Sequence, residues 1–152
     1  MKFEFSAGGI VYKKAHSASS GQDDVLVLVC QHSQHHGWVF PKGLIGDHVE
    51  NEGKEQTAIR EVKEETGVLG KIIKPLSPAD YWYVFEGDPS TGSGKVRIKK
   101  TVYYYLMGVV SEDISKHDKE MENVEWLEAE NVENRLTYPS EKKVWQEARK
   151  LL

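Results

Sequence analysis

Cysteine occurs once in the 152 residues, so the chain can form no internal disulfide and is not one of the small, covalently stapled secreted scaffolds. Cys30 ends the apolar run 25–30, where a buried strand residue is expected rather than a reactive thiol. No apolar run approaches the ~18 residues of a membrane span, and no charged-then-apolar leader opens the sequence. Neither membrane insertion nor secretion is expected, and a cytoplasmic setting follows by default. Positive charge is not in excess either. Lys and Arg number 20 against 24 Asp and Glu, a net charge of -4. That balance argues against a general nucleic-acid binder, so neither a stable nucleic-acid partner nor a membrane partner is expected, and the oligomeric state stays open. The length suits one ordinary domain spanning 1–152 with a sizeable core.

What the chain does have is concentrated in residues 46–68, GDHVENEGKEQTAIREVKEETGV. Gly46 is followed after five residues by Glu52, after seven more by Arg60-Glu61-Val62, then by Glu64-Glu65 and Gly67-Val68. Seven fixed identities and two aliphatic positions would recur by accident on the order of once in a billion starting points. On a helix turning about 100° per residue, Glu61, Glu64 and Glu65 share one sector about 100° wide. Like charges that close repel, by roughly 0.2–0.5 kcal/mol per i,i+4 pair in an isolated helix, and a divalent cation would relieve them. With oxygen ligands only, Mg²⁺ or Mn²⁺ is expected rather than zinc. Ala58, Ile59 and Val62 form the apolar stripe of the same helix, roughly 115° from the carboxylates. The spacing predicts a helix over 52–66, capped by Asn51, with Glu52 in its first turn and Gly67 as its left-handed stop.

Strand-like patterns cover residues 3–14, 24–32, 38–40, 71–74, 81–86, 96–110 and 124–128, and residues 140–152 read as a helix with Val144, Ala148 and Leu151 on one side. Strands without regular βα alternation, one helix early and one at the end, imply an α/β fold with a mixed sheet between helices. Two tempting motifs fail. The 87–95 segment looks like a phosphate loop but has Pro89 where a glycine and Val96 where Ser or Thr is required, so a strand connection is expected. His32, His35, His36 and His48 fall in polar loop sequence without zinc-ligand spacing, although a histidine near the substrate could tune pH dependence.

The 46–68 pattern is the Nudix box, G-x5-E-x7-R-E-U-x-E-E-x-G-U, without a departure, and the chain resembles a Nudix hydrolase. The resemblance implies an α/β/α sandwich, with residues 6–11 as first strand and 125–127 as a late strand before the closing helix. It implies hydrolysis of a pyrophosphate bond in a nucleoside diphosphate derivative. Glu61, Glu64 and Glu65 match metal ligands, Arg60 the residue that orients them, and Glu52 the first box glutamate. The base would be Glu61 or a glutamate outside the box. Glu120 or Glu122, of which Glu120 is favoured, would add to the metal shell.

Substrate choice must come from outside the box. Trp38-Val39-Phe40-Pro41-Lys42-Gly43 resembles the W-x-x-P-K-G segment of dinucleoside polyphosphate hydrolases and of the related diphosphoinositol polyphosphate hydrolases, and segments 99–107 and 136–140 are similar to the bacterial diadenosine tetraphosphate group. In that reading Lys42 with Lys99 or Lys100 holds a distal phosphate, and one of Tyr81, Tyr83, Tyr103 and Tyr105 stacks on adenine. The family's P-K-G glycine is usually the first box glycine, but here Gly43 precedes Gly46 by three residues, so either carbonyl could complete the metal shell. Nucleoside triphosphates, ADP-ribose and diphosphoinositol polyphosphates stay open as substrates. So do an RNA 5′ end, for which no basic face is evident, and a non-catalytic Nudix-fold binding module.

Overall fold

The computed structural model describes residues 1–16, 23–46, 49–86 and 94–152. The polar connection 17–22, His48 and the failed phosphate motif at 87–93 lie outside the described residues. Two long strands carry the fold. β1 (Lys2–His16) and a second strand, β7 (Lys95–Glu112), run parallel, from Lys2 opposite Ile98 to Val11 opposite Met107. Past Val11, β1 leaves β7 and pairs antiparallel with β2 (Asp23–His32). The remaining strands attach by antiparallel pairing. β3 (Trp38–Val39) joins β2 and β4 (Lys42–Leu44) joins β1, while β5 (Val68–Pro75) and β6 (Ala79–Glu86) flank β7 and β8 (Met121–Glu128) joins β2. The result is one mixed sheet of eight strands.

Strict alternation sorts the side chains of each strand onto two cores. Ile10, Val27, Val29, Val102, Tyr104 and Leu106 face a core closed by α2 (Ala129–Arg135) and α3 (Pro139–Arg149), which supply Val132, Val144, Trp145 and Ala148. Ala7, Val11, Leu28, Tyr105 and Met107 face the other core, closed by Ala58 and Val62 of α1 (Lys54–Thr66). The sheet therefore lies between helices, as the pattern predicted, in the α/β/α sandwich that the resemblance implied. Cys30 is fully buried in β2, in agreement with its reading as a strand residue. No helix among the described residues is long and apolar enough to cross a membrane.

Three local expectations need correction. The cap of α1 is Gly53, whose N–H donates to Gln56 Oε1 at 3.3 Å, while Asn51 sits two residues earlier at φ 63°. Glu52 consequently precedes the helix instead of occupying its first turn, and Glu55 is the acid placed there. At the other end of the chain α3 stops at Arg149, so Leu151 leaves the packed face and is exposed, and the apolar side is completed by the fully buried Trp145. The helix α2 was not anticipated, because Val132 is its one buried side chain and a single apolar position carries no period.

Gly67 ends α1 as expected, at φ 79°, with its N–H on Lys63 O. A Cβ there would also stand 1.9 Å from the Asp113 carbonyl oxygen, whereas a Cβ on Gly46, at φ 78°, would meet nothing within 4 Å among the described residues. Gly46→Ala is expected to cost about 1 kcal/mol, the intrinsic penalty of a left-handed residue. Gly67→Ala should cost at least twice that, because Asp113 must also move. Denaturant unfolding of the two variants checks the difference.

Candidate active site

Five charged side chains of the box meet where α1 passes β4. The guanidinium of Arg60 is the hub: Nε donates to Glu52 Oε2 at 2.9 Å, Nη2 to Glu52 Oε1 at 2.9 Å, Nη1 to Glu61 Oε1 at 3.0 Å and to Glu64 Oε2 at 3.1 Å. The fork thus holds the Glu52 carboxylate by two donors and reaches one oxygen of each of the other two. Hydrogen bonding to Glu52, outweighing the opposing effect of burial, keeps the Arg60 guanidinium more firmly protonated than usual. Thr57 Oγ1 adds a 2.7 Å hydrogen bond to Glu52 Oε1. Glu61 is buried and Glu64 is exposed, so α1 offers its acids at graded depth.

Glu65 faces a different neighbour. It is 3% exposed, and its Oε2 accepts the Lys42 N–H at 3.0 Å. Burial pushes its carboxyl well above the ordinary range, Lys42 draws it back, and the nearby Glu61 and Asp118 push it further up. Lys42 continues the connection. Its Nζ lies 3.1 Å from Glu141 Oε1, and the other Glu141 oxygen accepts the Phe40 N–H at 2.6 Å. Burial alone would lower the Lys42 ammonium, but Glu141 and the surrounding Tyr104, Tyr81 and Glu65 hold it well above its usual value. Segment 40–42 is therefore gripped from both sides, by Glu141 of α3 and by Glu65 of α1.

That grip fixes Gly43. A Cβ at Gly43 would fall 2.1–2.4 Å from the Glu61 carboxylate, so only glycine lets β4 approach so closely, whereas a Cβ on Gly46 would meet nothing within 4 Å among the described residues. The sequence left the two glycines as alternatives; Gly43 is the one beside the carboxylates. Arg60 spreads Glu52, Glu61 and Glu64 around itself, and among the described residues no three potential ligands already converge on one point. The donor set nonetheless suits a hard divalent cation: carboxylate oxygens from α1, a buried Glu65 whose ionised form a nearby cation would stabilise, and a backbone that only glycine permits against Glu61.

A cleft of about 810 Å³ opens from Glu65 and Lys42 toward the solvent, bounded by Tyr81, Tyr83, Lys100, His35, Tyr138 and Glu120. Its size falls in the ~300–1,000 Å³ range of small-molecule sites. Lys100 is partly buried and its ammonium is lowered by desolvation first and by the charge of Lys42 second. Tyr83 donates to Glu4 Oε2 at 2.8 Å, and its hydroxyl is pushed up to about 12 by desolvation and by that carboxylate. At the rim His32 and His35 stack at 4.2 Å between ring centroids, with the Tyr138 hydroxyl 3.1 Å from His35 Nδ1.

The model of the NUDIX domain matches residues 7–150. The chain belongs to the Nudix hydrolase family. A putative mutator protein, MutT4, of Mycobacterium tuberculosis is 35% identical over 150 residues, which cover 98% of this chain and 56% of that protein. An 8-oxo-(d)GTP phosphatase of Mycolicibacterium smegmatis is 26% identical over 142 residues, 91% of this chain and 39% of the relative. The chain thus spans about half the length, or less, of these curated relatives. Solved Nudix structures give the same architecture. C. elegans Ap4A hydrolase has a TM-score of 0.64 at 23% identity, covering 99% of this chain and 98% of that one. The NUDIX domain of Shewanella oneidensis NrtR, complexed with ADP ribose, has a TM-score of 0.67 at 19% identity, covering 99% and 89%. At these identities the two structures establish the fold alone.

Within this Nudix framework the anticipated residues divide into three groups. Glu52, Arg60, Glu61 and Glu64 come together around the guanidinium, and Glu65, Lys42, Lys100, Tyr81, Tyr83 and Glu120 line the cleft. Lys99, Tyr103 and Tyr105 do not join them. Alternation along β7 turns them to the α1 side of the sheet, where the Lys54 ammonium lies 4.3 Å from the Tyr103 ring centroid and Tyr105 packs with Met107. Glu122 is engaged with His36 instead of the carboxylate group. Two acids were missed. Asp118, whose N–H donates to Glu64 O at 3.0 Å, has no spacing to mark it, and Glu141 follows the 136–140 segment as an ordinary first-turn acid of a helix.

Replacing Glu141 by Ala would strand the Lys42 ammonium and the Phe40 N–H in a buried setting, at an expected cost of about 3–5 kcal/mol. The double variant Glu141→Leu/Lys42→Met removes the charge problem and should recover most of that loss, apart from the unpaired Phe40 N–H. Thermal and denaturant unfolding of both variants measures the difference.

Proposed function

We propose that this domain hydrolyses a pyrophosphate bond in a nucleoside diphosphate derivative, with a dinucleoside polyphosphate such as diadenosine tetraphosphate as substrate and Mg²⁺, or alternatively Mn²⁺, as cofactor, in the cytoplasm. The observation that carries this reading is the opening of Glu65, two mutually repelling lysines and several aromatic side chains into one cleft. Glu52, Glu61, Glu64 and Glu65, with the Gly43 carbonyl, would hold the metal, and Glu120 at the cleft wall would extend that set. When bound, the cation lowers the pKa of the attacking water and offsets charge on the phosphoryl oxygens.

The chain's own residues do the positioning. Arg60 keeps the carboxylates in place against their mutual repulsion. Lys42 and Lys100 line the same cleft, and the charge of Lys42 lowers the Lys100 ammonium, so a phosphate beside them would relieve that repulsion and they are assigned to a distal phosphate of the substrate. Tyr81, Tyr83, His35 and Tyr138 supply flat surfaces for a nucleobase. Glu61 or Glu120 takes the proton of the attacking water. As the new P–O bond forms, the bridging P–O bond breaks and its electron pair leaves on the departing phosphate, giving two phosphorylated products.

A second reading has its own support. The mycobacterial relatives are named as a putative mutator protein and an 8-oxo-(d)GTP phosphatase, which favours a nucleoside triphosphate in the same cleft. A Mg²⁺-dependent screen with product identification separates the two. Release of ATP and AMP from diadenosine tetraphosphate supports the first reading; preference for a nucleoside triphosphate, with pyrophosphate and a monophosphate as products, replaces it with the second. In either case Glu64→Gln should lose at least about 10²-fold in turnover. It should melt close to the parent, since Glu64 is exposed and its contact with Arg60 is a surface one. Unchanged turnover would sink the assignment of the α1 carboxylates.

A further inference from the structure

On the face of β7 opposite the cleft, the register assembles a feature that the overall charge conceals. Arg97, Lys99, Thr101 and Tyr103 occupy alternate positions on that face, with the Thr101 hydroxyl donating to Asp80 Oδ1 at 2.7 Å between the cations and Tyr103. Trp82 of β6 pairs with Lys99 and is 46% exposed, with the Arg97 guanidinium 4.6 Å and the Lys99 ammonium 5.9 Å from its ring centroid. On the other side of β7, Phe5 pairs with Thr101 and is 47% exposed, pointing to the same face as the buried Ala7. Toward α1 the line ends at the Lys54–Tyr103 pair. Arg97 and Lys99 form no ion pair among the described residues. From Arg97 to Tyr103 this strip of cations and rings is about 20 Å long, at ~3.3 Å per strand residue.

We infer that this strip is a binding surface for single-stranded nucleic acid. Exposed rings offer stacking faces to bases, and interleaved cations spaced about 6.6 Å apart meet a phosphodiester backbone, the combination that sequence-tolerant single-strand binders use. A second copy of the chain is disfavoured as the occupant. In a two-fold contact the strip would face itself and gather two sets of Arg97 and Lys99 into one interface without added counter-charge. A purely apolar partner is disfavoured too, because it would bury these cations without counter-charge. The net charge of -4 made a basic face invisible in the composition, and strand alternation is what collects the cations on one side. The surface lies across the sheet from the cleft and does not depend on which nucleotide the cleft hydrolyses.

The test is fluorescence anisotropy with a labelled 5′-hydroxyl oligouridylate of about ten nucleotides, which carries no pyrophosphate for the cleft. The parent is expected to bind with log Kd rising with log salt at a slope near 2, about 0.7 for each of the three phosphates met by Lys54, Lys99 and Arg97. Arg97→Glu should reduce that slope by about 0.7 or more and weaken binding at least about tenfold. Trp82→Ala should weaken it about tenfold, whereas Trp82→Phe stays within a few-fold of the parent. Unchanged melting and unchanged hydrolysis of small nucleotides in these variants separate lost binding from lost folding. Absence of binding by the parent, or binding by the Trp82→Ala and Arg97→Glu variants as tight as the parent's, overturns the inference. So does competition by inorganic polyphosphate combined with indifference to Trp82→Ala, which would reduce the strip to a site for any polyanion. Light scattering that shows a parent dimer dissolved by Trp82→Ala would make the occupant a second copy.

Discussion

Glu52, Glu61 and Glu64 would push one another apart if nothing stood between them, and the guanidinium of Arg60 is what stands there, within 3.1 Å of all three. Exposed carboxylates can be left to solvent. Glu61 and the Glu52 side chain are nearly buried, so their charge has to be answered within the protein. This explains why the acids border the apolar stripe of α1 instead of lying opposite it. Ala58 and Val62 anchor the helix on β1 and β7, and the charged edge is thereby carried to the place where β4 passes. An ordinary solvated surface helix has no use for that arrangement.

A second constraint fixes the other wall of the site. Segment 40–43 is tied to β1 by the pairing of Lys42 and Gly43 and by the Pro41 carbonyl, and it must also hold the Lys42 side chain in the cleft and Gly43 against Glu61. Two buried glutamates do this, Glu141 from α3 and Glu65 from α1, through the Phe40 N–H, the Lys42 ammonium and the Lys42 N–H. Helices on opposite faces of the sheet are thereby connected through one short strand. The three-residue offset between Gly43 and Gly46 is absorbed beyond this grip: Gly43 keeps its place at Glu61, while Gly46 adopts a left-handed conformation at φ 78°.

How much of this could be read in advance depended on whether the information was local. The box residues fall within one helix and the turn before it, so their mutual placement follows from helical geometry, and the carboxylate face and Gly67 stop were legible. The cap was less so. Asn51 is a good N-cap by type, but Glu52 is drawn back to Arg60 and Thr57, and the helix starts two residues beyond Glu52, at Lys54 after the Gly53 cap. The tyrosines show where local reading ends. Tyr81, Tyr83, Tyr103 and Tyr105 look alike as alternating strand residues, and only the register of β6 and β1 on β7 decides that the first pair faces the cleft and the second faces α1. Glu141 was invisible for the same reason: its partners Phe40 and Lys42 are about a hundred residues away in the chain.

The central claim is that the α1 carboxylates, organised by Arg60 and by the approach of Gly43, bind a divalent cation. Titration of the protein with Mn²⁺, followed by the loss of the free-ion electron paramagnetic resonance signal, tests it without any substrate. The account predicts saturable binding that Glu61→Gln and Glu64→Gln each weaken by at least about tenfold, as loss of a hard oxygen ligand should. Binding of equal strength in the parent and both variants would contradict it.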